Sequence, residues 1–467
     1  MEKFFKLKDY DTTVRTEITA GITTFMAMAY ILMVNAGMFA ELGTVSYGAV
    51  YIATAISAVI GTVLIGLLSN LPLAQASGMG LNAFFVYTVC FGFGLSYANA
   101  LVCVLVDGLV FVLLTITGLR KLIFKAIPDR VKVAISAGIG LFIAFIGLQN
   151  VGLIVDDPST LVNLRSFNVL SGGVTWAEIM PCLITVFAVI AIGAMSHRKV
   201  KGAVLWGMLG GAAVYYILGF ATVPGFYEAN VAPNLTSDFF GAFRDFGTMA
   251  FGKVFSEGFD FSAYISAHGT GAFIIMFITT MLAFCMVDMF DTMGTLYGAC
   301  SAGNMLTEDG EVPNIDRAML ADAVATCAGA VCGTSTVTTF VESASGVAEG
   351  GRTGLSSMAT AALFFIAMFL SPIAQLIPSC ATAAALIYVG VLMMGNVKDI
   401  YWDDPSSAVV GFMTLAIMPL TYNISYGIAF GLISYVFIKT FTGKIKDVNA
   451  GTWVITVLFA LMFFLTR

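Results

Sequence analysis

The most constraining feature of the chain is a series of apolar runs, about 18 to 25 residues each, that recurs from one end to the other. A helix of about 20 residues is long enough to cross the hydrocarbon core of a bilayer. Only 11% of the 467 residues are charged, whereas soluble domains average about 25%. The sequence therefore predicts a polytopic integral membrane protein built from helices.

Fourteen such segments can be placed, seven on each side of a longer, more polar stretch at 223–270. The first is interpreted as an uncleaved helix, because a signal peptide has a shorter apolar region and a cleavage site. The final apolar stretch, 452–466, is too short to count as spanning. The predicted spans are 18–38, 46–69, 73–94, 97–118, 133–154, 178–195, 202–222, 271–300, 318–332, 333–350, 355–377, 382–397, 406–420 and 424–440.

The lysines and arginines predict the orientation, because cytoplasmic segments of membrane proteins are enriched in them. With the N-terminus inside, the segments predicted outside hold only Arg165, Arg244 and Lys253. The segments predicted inside are much richer in basic residues. Among them are Lys3, Lys6, Lys8, Arg15, Arg120, Lys121, Lys125, Arg130, Lys132, Arg198, Lys199, Lys201, Lys439, Lys444 and Lys446.

Two patterns indicate an inverted repeat. The segment 22–30 (ITTFMAMAY) opens the first half and 278–286 (ITTMLAFCM) opens the second. Seven is odd, so the second half enters the membrane from the opposite side. The third span of each half is also interrupted, by proline and glycines in 71–85 and by a Thr/Val run with small residues in 333–354. Interrupted segments at matching repeat positions predict a transporter's binding site, where an extended piece and a half-helix from each half meet.

Acidic side chains at membrane depth are the candidate functional groups, because each costs about 2.5 kcal/mol or more at a helix centre. Glu342 lies where the extended piece of the tenth span should become helix. Asp288 and Asp291 are three residues apart and share a helix face. Their joint ionisation is unfavourable, which suits a group that takes up and releases a proton. Asn82, just after the break in the third span, can donate and accept at the edge of a flat heterocycle.

The remaining acidic, cysteine and histidine side chains further limit the classes of function that the sequence favours. The role of Asp107 is left open, and a structural role is favoured for Asp322. The predicted centre holds acids and an amide without lysine or arginine, which favours neutral hydrogen-bond donors or cations over anions. Eight cysteines without a CxxC pair and only two histidines favour neither a metal site nor a cofactor. No nucleophile–base pair is recognisable, so an enzyme is disfavoured.

Five segments resemble one known family closely, and the resemblance covers nearly the whole chain. They are AGITTFMAMAYI, GMGLNAFF, VDMFDTMGTL, GTSTVTTFVESASGVAEGGRTGL and MPLTYNISYGIAFG. The chain is similar to the AzgA-like guanine/hypoxanthine/adenine permeases of the nucleobase–cation symporter-2 family. This resemblance implies an all-α polytopic membrane protein with fourteen spans in a seven-plus-seven inverted repeat. It also implies short antiparallel strands in spans three and ten, and a division into core and gate domains.

The implied organisation divides the chain as follows. The segments are a cytoplasmic N-terminus at 1–17, a first repeat at 18–222, an extracytoplasmic loop at 223–270, a second repeat at 271–441 and a C-terminal tail at 442–467. The core domain would comprise approximately 18–119 and 271–377, and the gate domain approximately 131–222 and 382–441.

The resemblance also implies an activity, namely proton-coupled uptake of a purine nucleobase across the cell membrane, without a cofactor. The expected partners are the purine, the bilayer and a second copy of the chain, and no nucleic acid. Substrate binding is expected from Asp288, Glu342, Asn82 and the main-chain N–H of Val341. Proton coupling is expected from Asp291, Asp288 and Glu342.

Two positions depart from the family pattern. Ser77 and Ala384 stand where proline is common in the family, which concerns the geometry of the helix breaks. Two alternatives also stay open at this point. One is a transporter of another nucleobase, such as uracil or xanthine, and the other is a passive channel for small neutral solutes.

Overall fold

The computed structural model describes residues 2–118, 127–171, 173–235 and 238–465. Ten helices in these ranges are long and apolar enough to cross a membrane. The chain is therefore a mostly helical multi-pass membrane protein, as predicted. The ten are Val14–Ala40, Tyr47–Ser69, Tyr97–Ile116, Asp129–Asn150, Trp176–His197, Ala203–Thr222, Thr270–Ala302, Gly354–Ala374, Ser379–Asp399 and Ile424–Phe441. The basic residues at 120, 121 and 125 lie outside the described residues.

The main elements are numbered in chain order. The helices are α1 (Val14–Met28), α2 (Tyr30–Ala40), α3 (Tyr47–Ser69), α4 (Met79–Ala83), α5 (Tyr97–Ile116), α6 (Asp129–Asn150), α7 (Trp176–His197), α8 (Ala203–Thr222), α9 (Ser262–His268), α10 (Thr270–Ala302), α11 (Ile315–Cys332), α12 (Ser343–Ala348), α13 (Gly354–Ala367), α14 (Ser379–Met394), α15 (Pro405–Thr421), α16 (Ile424–Phe441) and α17 (Ala450–Leu465). The strands are β1 (Gln75–Ser77), β2 (Ile154–Asp157), β3 (Leu161–Leu164) and β4 (Val337–Thr339).

Shorter helical turns connect these elements. A π-helix, Phe84–Gly92, continues α4. The stretch predicted as a polar loop at 223–270 contains five short turns before α9. They are Tyr227–Val231, Ala232–Asn234, Gly241–Asp245, Phe246–Ala250 and Lys253–Ser256. The others are Glu2–Phe5, Leu7–Tyr10, Val169–Ser171, Met368–Leu370, Ser371–Ala374, Gly395–Asp399 and Ile445–Asp447.

Every predicted span coincides with a helix or with a strand followed by a helix. Four of them, the third, ninth, tenth and thirteenth, are not among the ten long apolar helices. The fourteen-span count and the inverted repeat therefore stay predictions. One predicted boundary is wrong: the fifth span ends at Asn150, and the chain beyond it forms the exposed hairpin of β2 and β3.

Polar residues at the helix ends explain where several of these helices start and stop. Ser46 precedes α3 and its hydroxyl accepts a hydrogen bond from the N–H of Ala49. Asn423 does the same for α16 by accepting from the N–H of Tyr426. These side chains satisfy backbone donors that have no partner inside the helix. At the other end of α3, Asn70 adopts the left-handed conformation with φ 57° and stops the helix.

The two interrupted segments pair through their strands. β1 and β4 are antiparallel, with Gln75 opposite Thr339 and Ser77 opposite Val337. All six strand residues are buried, and pairing gives their backbone groups partners away from water. A Cβ atom at Gly78 would lie 2.5 Å from Cγ2 of Thr338, so glycine permits this approach. The predicted extended pieces are therefore present, and they meet each other.

The long helices pack in two groups. Helices α1, α3 and α5 pack chiefly with α10, α11 and α13, whereas α6 to α8 pack chiefly with α14 to α16. The helix α2 packs against α3 and also contacts α14. The helix α17 contacts both α10 and α16. The paired strands belong to the first group, because α3, α10 and α11 pack against them. This arrangement places the strand pair beside the boundary between the two groups.

Candidate functional site

A cavity of about 830 Å³ lies where the two groups of helices meet. One wall consists of residues from the strand-bearing segments and α10, and the other of residues from α6 and α14. The first group contributes Tyr30, 78–81, Phe290, Asp291 and 339–342. The volume falls within the range of about 300 to 1,000 Å³ typical of small-molecule sites. The cavity is thus the candidate substrate site.

Glu342 lies at the start of α12 and lines this cavity, in the position predicted for it. Its Oε1 atom accepts a hydrogen bond from the hydroxyl of Tyr30 at 2.6 Å. The Tyr30 side chain is fully buried, and a buried tyrosine hydroxyl needs such a partner. Sequence reasoning missed Tyr30, although a tyrosine within the apolar run of the first span was a usable signal. The bond fixes one oxygen of Glu342 and leaves the other for a ligand.

Asp291 lines the same cavity and is half-buried. Asp288 does not line it: its side chain is fully buried and accepts a hydrogen bond from Thr326 of α11 at 3.2 Å. Three residues turn a helix by about 300°, so the two side chains diverge by about 60°. In this structure the Asp288 side chain therefore lies off the cavity, and its contact with the substrate stays a prediction. Of the two aspartates, Asp291 is the one on the cavity.

Asn82 also lies away from the cavity. Its side chain is fully buried; its Oδ1 atom accepts from the Ser77 hydroxyl at 2.6 Å and its Nδ2 atom donates to the Ser77 carbonyl at 3.3 Å. The preceding residues 78–81 line the cavity instead. The Asn82 amide does not line the cavity in this conformation, and its contact with the substrate stays a prediction. The amide closes the turn between β1 and α4.

Val341 precedes Glu342 on the same side of the cavity. It lines the cavity and is 54% exposed. Within the described ranges, its main-chain N–H donates to no acceptor. A free N–H donor thus lies on the same cavity wall as two carboxylate acceptors, Asp291 and Glu342. That set can hold a ligand that both donates and accepts hydrogen bonds.

Behind β4 lies a polar network that the sequence did not predict. The Oδ1 atom of Asp322 accepts from Nε2 of Gln75 at 2.8 Å and from the hydroxyl of Thr292 at 2.9 Å. The hydroxyl of Thr339 donates to the same oxygen at 3.3 Å. Asp322 thus ties β1, β4 and α10 together. Asp107 is also fully buried, and neither of its carboxyl oxygens has a hydrogen-bond partner in the described part of the chain.

The cavity occupies one end of α6, and a closing cluster occupies the other. The cavity lining includes residues 132–139 of α6, whereas the cluster includes Gln149 and Asn150 at its end. We name as the closing cluster Glu41, Tyr87, Gln149, Asn150 and Tyr422.

Hydrogen bonds in the closing cluster join the two groups of helices. Glu41 accepts from the Tyr87 hydroxyl at 2.9 Å and from the Asn150 amide at 3.0 Å. The Tyr422 hydroxyl donates to the side chain of Gln149, and its ring meets that of Tyr87 edge-on with centroids 5.6 Å apart. The closing cluster thus links the two groups of helices at the end of α6 that lies away from the cavity.

Comparison with known proteins identifies the family. The Permease family (Xan_ur_permease) matches residues 15–430. The chain belongs to this family. It is 39% identical to the guanine/hypoxanthine permease PbuG of Bacillus subtilis over 471 residues, which covers 99% of each protein. It is 35% identical to the adenine permease AdeQ of Escherichia coli over 462 residues, 99% of this chain and 95% of that one. The resemblance inferred from the motifs is confirmed.

Solved structures support the fold. The transmembrane domain of the cyanobacterial bicarbonate transporter BicA matches with a TM-score of 0.61 and 16% identity, over 88% of this chain and 96% of that one. At this identity the match concerns the fold alone. Membership in the family makes the chain a membrane permease and not an enzyme.

Proposed function

We propose that the chain is a secondary active transporter that imports a purine nucleobase, hypoxanthine, guanine or adenine, by proton symport. The observation that carries the proposal is the set of groups around the cavity. Two carboxylates, Asp291 and Glu342, and the free N–H of Val341 line one cavity. A purine base has N–H groups for the carboxylates and a ring nitrogen or carbonyl oxygen for the N–H donor.

The apolar and charged residues of the lining favour the same ligand. Phe290 and Phe340 supply flat apolar surfaces, which suit an aromatic ring. Lys132 also lines the cavity, at the start of α6, and its Nζ atom pairs with Asp129 at 2.8 Å. The charge at the centre is therefore acidic, which disfavours an anionic substrate. The named relatives act on guanine, hypoxanthine and adenine.

In this proposal Asp291 replaces Asp288 as the aspartate that accepts from the base. Glu342 accepts from a second N–H, held in place by Tyr30. Asp288 and Asn82 act on the site through the elements that they brace. A proton enters with the neutral base because several ionised carboxylates in and beside one poorly hydrated cavity repel each other.

Transport requires the site to face each side of the membrane in turn. We propose fourteen spans in two inverted repeats, with a core domain at approximately 18–119 and 271–377 and a gate domain at approximately 131–222 and 382–441. The separate packing of the two groups of helices supports this division. With the N-terminus in the cytoplasm, the end of the cavity near Lys132 faces inward. Breaking the closing cluster while the inner end closes would give the outward-facing state.

Uptake measurements test the proposal. We expect saturable uptake of radiolabelled hypoxanthine, guanine or adenine by cells that lack their own purine carriers, and we expect a protonophore to abolish accumulation. Competition by unlabelled uracil or xanthine in preference to these purines would reassign the substrate. Uptake without saturation and without dependence on the proton gradient would indicate a channel. Single-molecule photobleaching of the labelled protein in membranes tests the proposed homodimer.

A further inference from the structure

Two threonine hydroxyls connect the cavity acid Asp291 to the buried acid Asp322. The Thr338 hydroxyl lies 3.5 Å from Oδ2 of Asp291 and 2.8 Å from the Thr292 hydroxyl. The Thr292 hydroxyl lies 2.9 Å from Oδ1 of Asp322. Thr292, Thr338 and Asp322 are at most 1% exposed, so bulk water does not compete for these bonds. A continuous hydrogen-bond chain thus runs from the cavity into the interior.

The number of available hydrogen atoms determines which protonation states the hydrogen-bond chain allows. This hydrogen-bond chain has three links, but each of its two hydroxyls supplies only one hydrogen. The third hydrogen must come from a carboxyl group at one end. If Asp291 carries it, every donor points toward Asp322; if Asp322 carries it, every donor points toward Asp291. If both are ionised, one link joins two oxygens without a hydrogen, which is costly in a buried site. The chain is complete when one of its two ends, and only one, is protonated.

The surroundings of Asp322 allow it to exist in both forms. Its Oδ1 atom accepts from Gln75, Thr292 and Thr339, and such donors stabilise the ionised carboxylate. Its Oδ2 atom has no partner among the described residues. The titratable groups packed around it are Asp107 from α5 and Asp288 and Asp291 from α10.

All three of these neighbours are acids, and they oppose ionisation of Asp322. Among the described residues, no lysine or arginine side chain is fully buried. The buried charged side chains there are Glu17, Asp107, Asp288 and Asp322. A group with donors on one oxygen and acids around it can take up a proton and release it again. The neighbours of Asp322 therefore allow both its protonated and its ionised form.

We propose that Asp322 holds the coupling proton while substrate is bound, and that Thr338 and Thr292 deliver it from Asp291. The inference rests on the proposed proton symport. Asp291 gives its proton to the Thr338 oxygen, Thr338 passes its own to Thr292, and Thr292 passes its own to Asp322. Each hydroxyl loses one O–H bond and gains another, so a single proton moves from one carboxyl to the other. Asp291 is left ionised, so its carboxylate can accept a hydrogen bond from an N–H group of the base.

Separating the two sites explains how substrate and proton depend on each other. The base contacts Asp291, and the proton resides two hydroxyls away on Asp322. When the proton leaves Asp322, the carboxylates at both ends of the hydrogen-bond chain are ionised. The two threonine hydroxyls then supply only two hydrogens for its three links, so one link has no hydrogen. The base then binds less well, because its acceptor is part of an unfavourable ionised pair. Release of one therefore promotes release of the other.

The test uses the purified full chain in proteoliposomes with hypoxanthine as substrate. The variants are Thr292→Val and Thr338→Val, which keep the side-chain shape and remove the hydroxyl. The control is Thr279→Val, also buried on α10, whose hydroxyl donates to the Ile275 carbonyl at 2.8 Å. Accumulation driven by a proton gradient is compared with exchange of labelled for unlabelled hypoxanthine at equal pH.

We expect both relay variants to lower gradient-driven accumulation about tenfold or more, because positioned proton-transfer groups contribute factors of this size or larger. Exchange should stay near wild type, since the loaded carrier can cross and return with its proton retained. Asp322→Asn should likewise lower gradient-driven accumulation and leave exchange near wild type, and its exchange rate should not depend on pH. The Thr279→Val control should match wild type in both assays.

Two results would overturn the inference, and they differ from a failure of the symport itself. If both threonine variants take up protons with hypoxanthine in the wild-type ratio and with wild-type pH dependence, the relay is wrong. If exchange falls as far as accumulation in both, the threonines support the fold and do not carry protons. If the wild-type protein takes up no protons with hypoxanthine, proton symport is wrong, and the relay has no role.

Discussion

The two interrupted segments have the same local design and different surroundings. In the first, β1 leads into α4, and Asn82 is fully buried against Ser77. In the second, β4 leads into α12, and Glu342 and the half-exposed Val341 line the cavity. The first segment supplies backbone pairing and the Gln75 amide that braces Asp322. The second supplies the groups proposed to touch substrate.

The two interrupted segments show that residues at matching positions in the two halves of a protein need not have the same function. A strand that crosses the interior of a membrane protein needs a partner for its backbone groups. β1 meets that need for β4, which frees the residues after β4 to face a cavity. Asn82 is then a turn residue, and Glu342 is a ligand residue. Four predictions test this division, from the largest expected effect to the smallest.

Glu342→Gln should have the largest effect. The substitution keeps the shape of the side chain but turns one acceptor oxygen into a donor. A hydrogen bond to a charged group contributes about 1.5 to 3 kcal/mol, so hypoxanthine affinity should fall roughly 10- to 150-fold. Calorimetric titration of the purified protein measures this. Glu349→Gln is the matched control, since Glu349 pairs with Lys201 at 2.6 Å and does not line the cavity. Equal losses in both variants would argue against direct contact.

Asp291→Asn and Asp288→Asn separate the two acids of α10. Asp291→Asn should weaken binding about tenfold or more, by the loss of one charge-assisted acceptor. Asp288→Asn should leave affinity near wild type and lower stability, because its partner is Thr326 and not the cavity. The measurement pairs hypoxanthine titration with thermal unfolding in detergent. If Asp288→Asn weakened binding and Asp291→Asn did not, Asp288 would be the substrate ligand, and it would contact the substrate in a different conformation.

Much of this design could be predicted from the sequence. The helices follow from local apolar runs, and the breaks follow from proline, glycine and the Thr/Val run, so Glu342 was placed correctly. The choice between Asp288 and Asp291 depends on how α10 is rotated against α11, which only tertiary packing sets. The bond between Thr292 and Thr338 joins residues 46 positions apart. Threonines in a β-branched run indicated a strand, but gave no sign of which hydroxyls would meet.

Tyr30→Phe should have a smaller effect than either cavity acid. It removes the hydroxyl that donates to Glu342 at 2.6 Å and leaves the ring in its buried position. The loss of a single orienting hydrogen bond corresponds to about 0.5 to 1.5 kcal/mol, or roughly a 2- to 13-fold weaker affinity. Combining Tyr30→Phe with Glu342→Gln should add little, because both act through one carboxylate. Full additivity in hypoxanthine titrations would show that Tyr30 acts independently of Glu342.

Asn82→Ala should have the smallest effect on binding. Among the residues that the structure describes, its amide bonds only to Ser77, so its removal should leave the groups on the cavity wall unchanged. The Ser77 hydroxyl keeps a partner in Thr334 at 2.9 Å, which limits the loss of stability to about 1 kcal/mol for one buried hydrogen bond. The order of preference among guanine, hypoxanthine and adenine should therefore stay the same, with a modest fall in the melting temperature. Ser77→Ala is the companion variant, since it removes the other half of the same contact and should behave alike. A changed order of preference in Asn82→Ala, but not in Ser77→Ala, would mean that the amide reaches the base during transport, and that the two segments share the work of recognition after all.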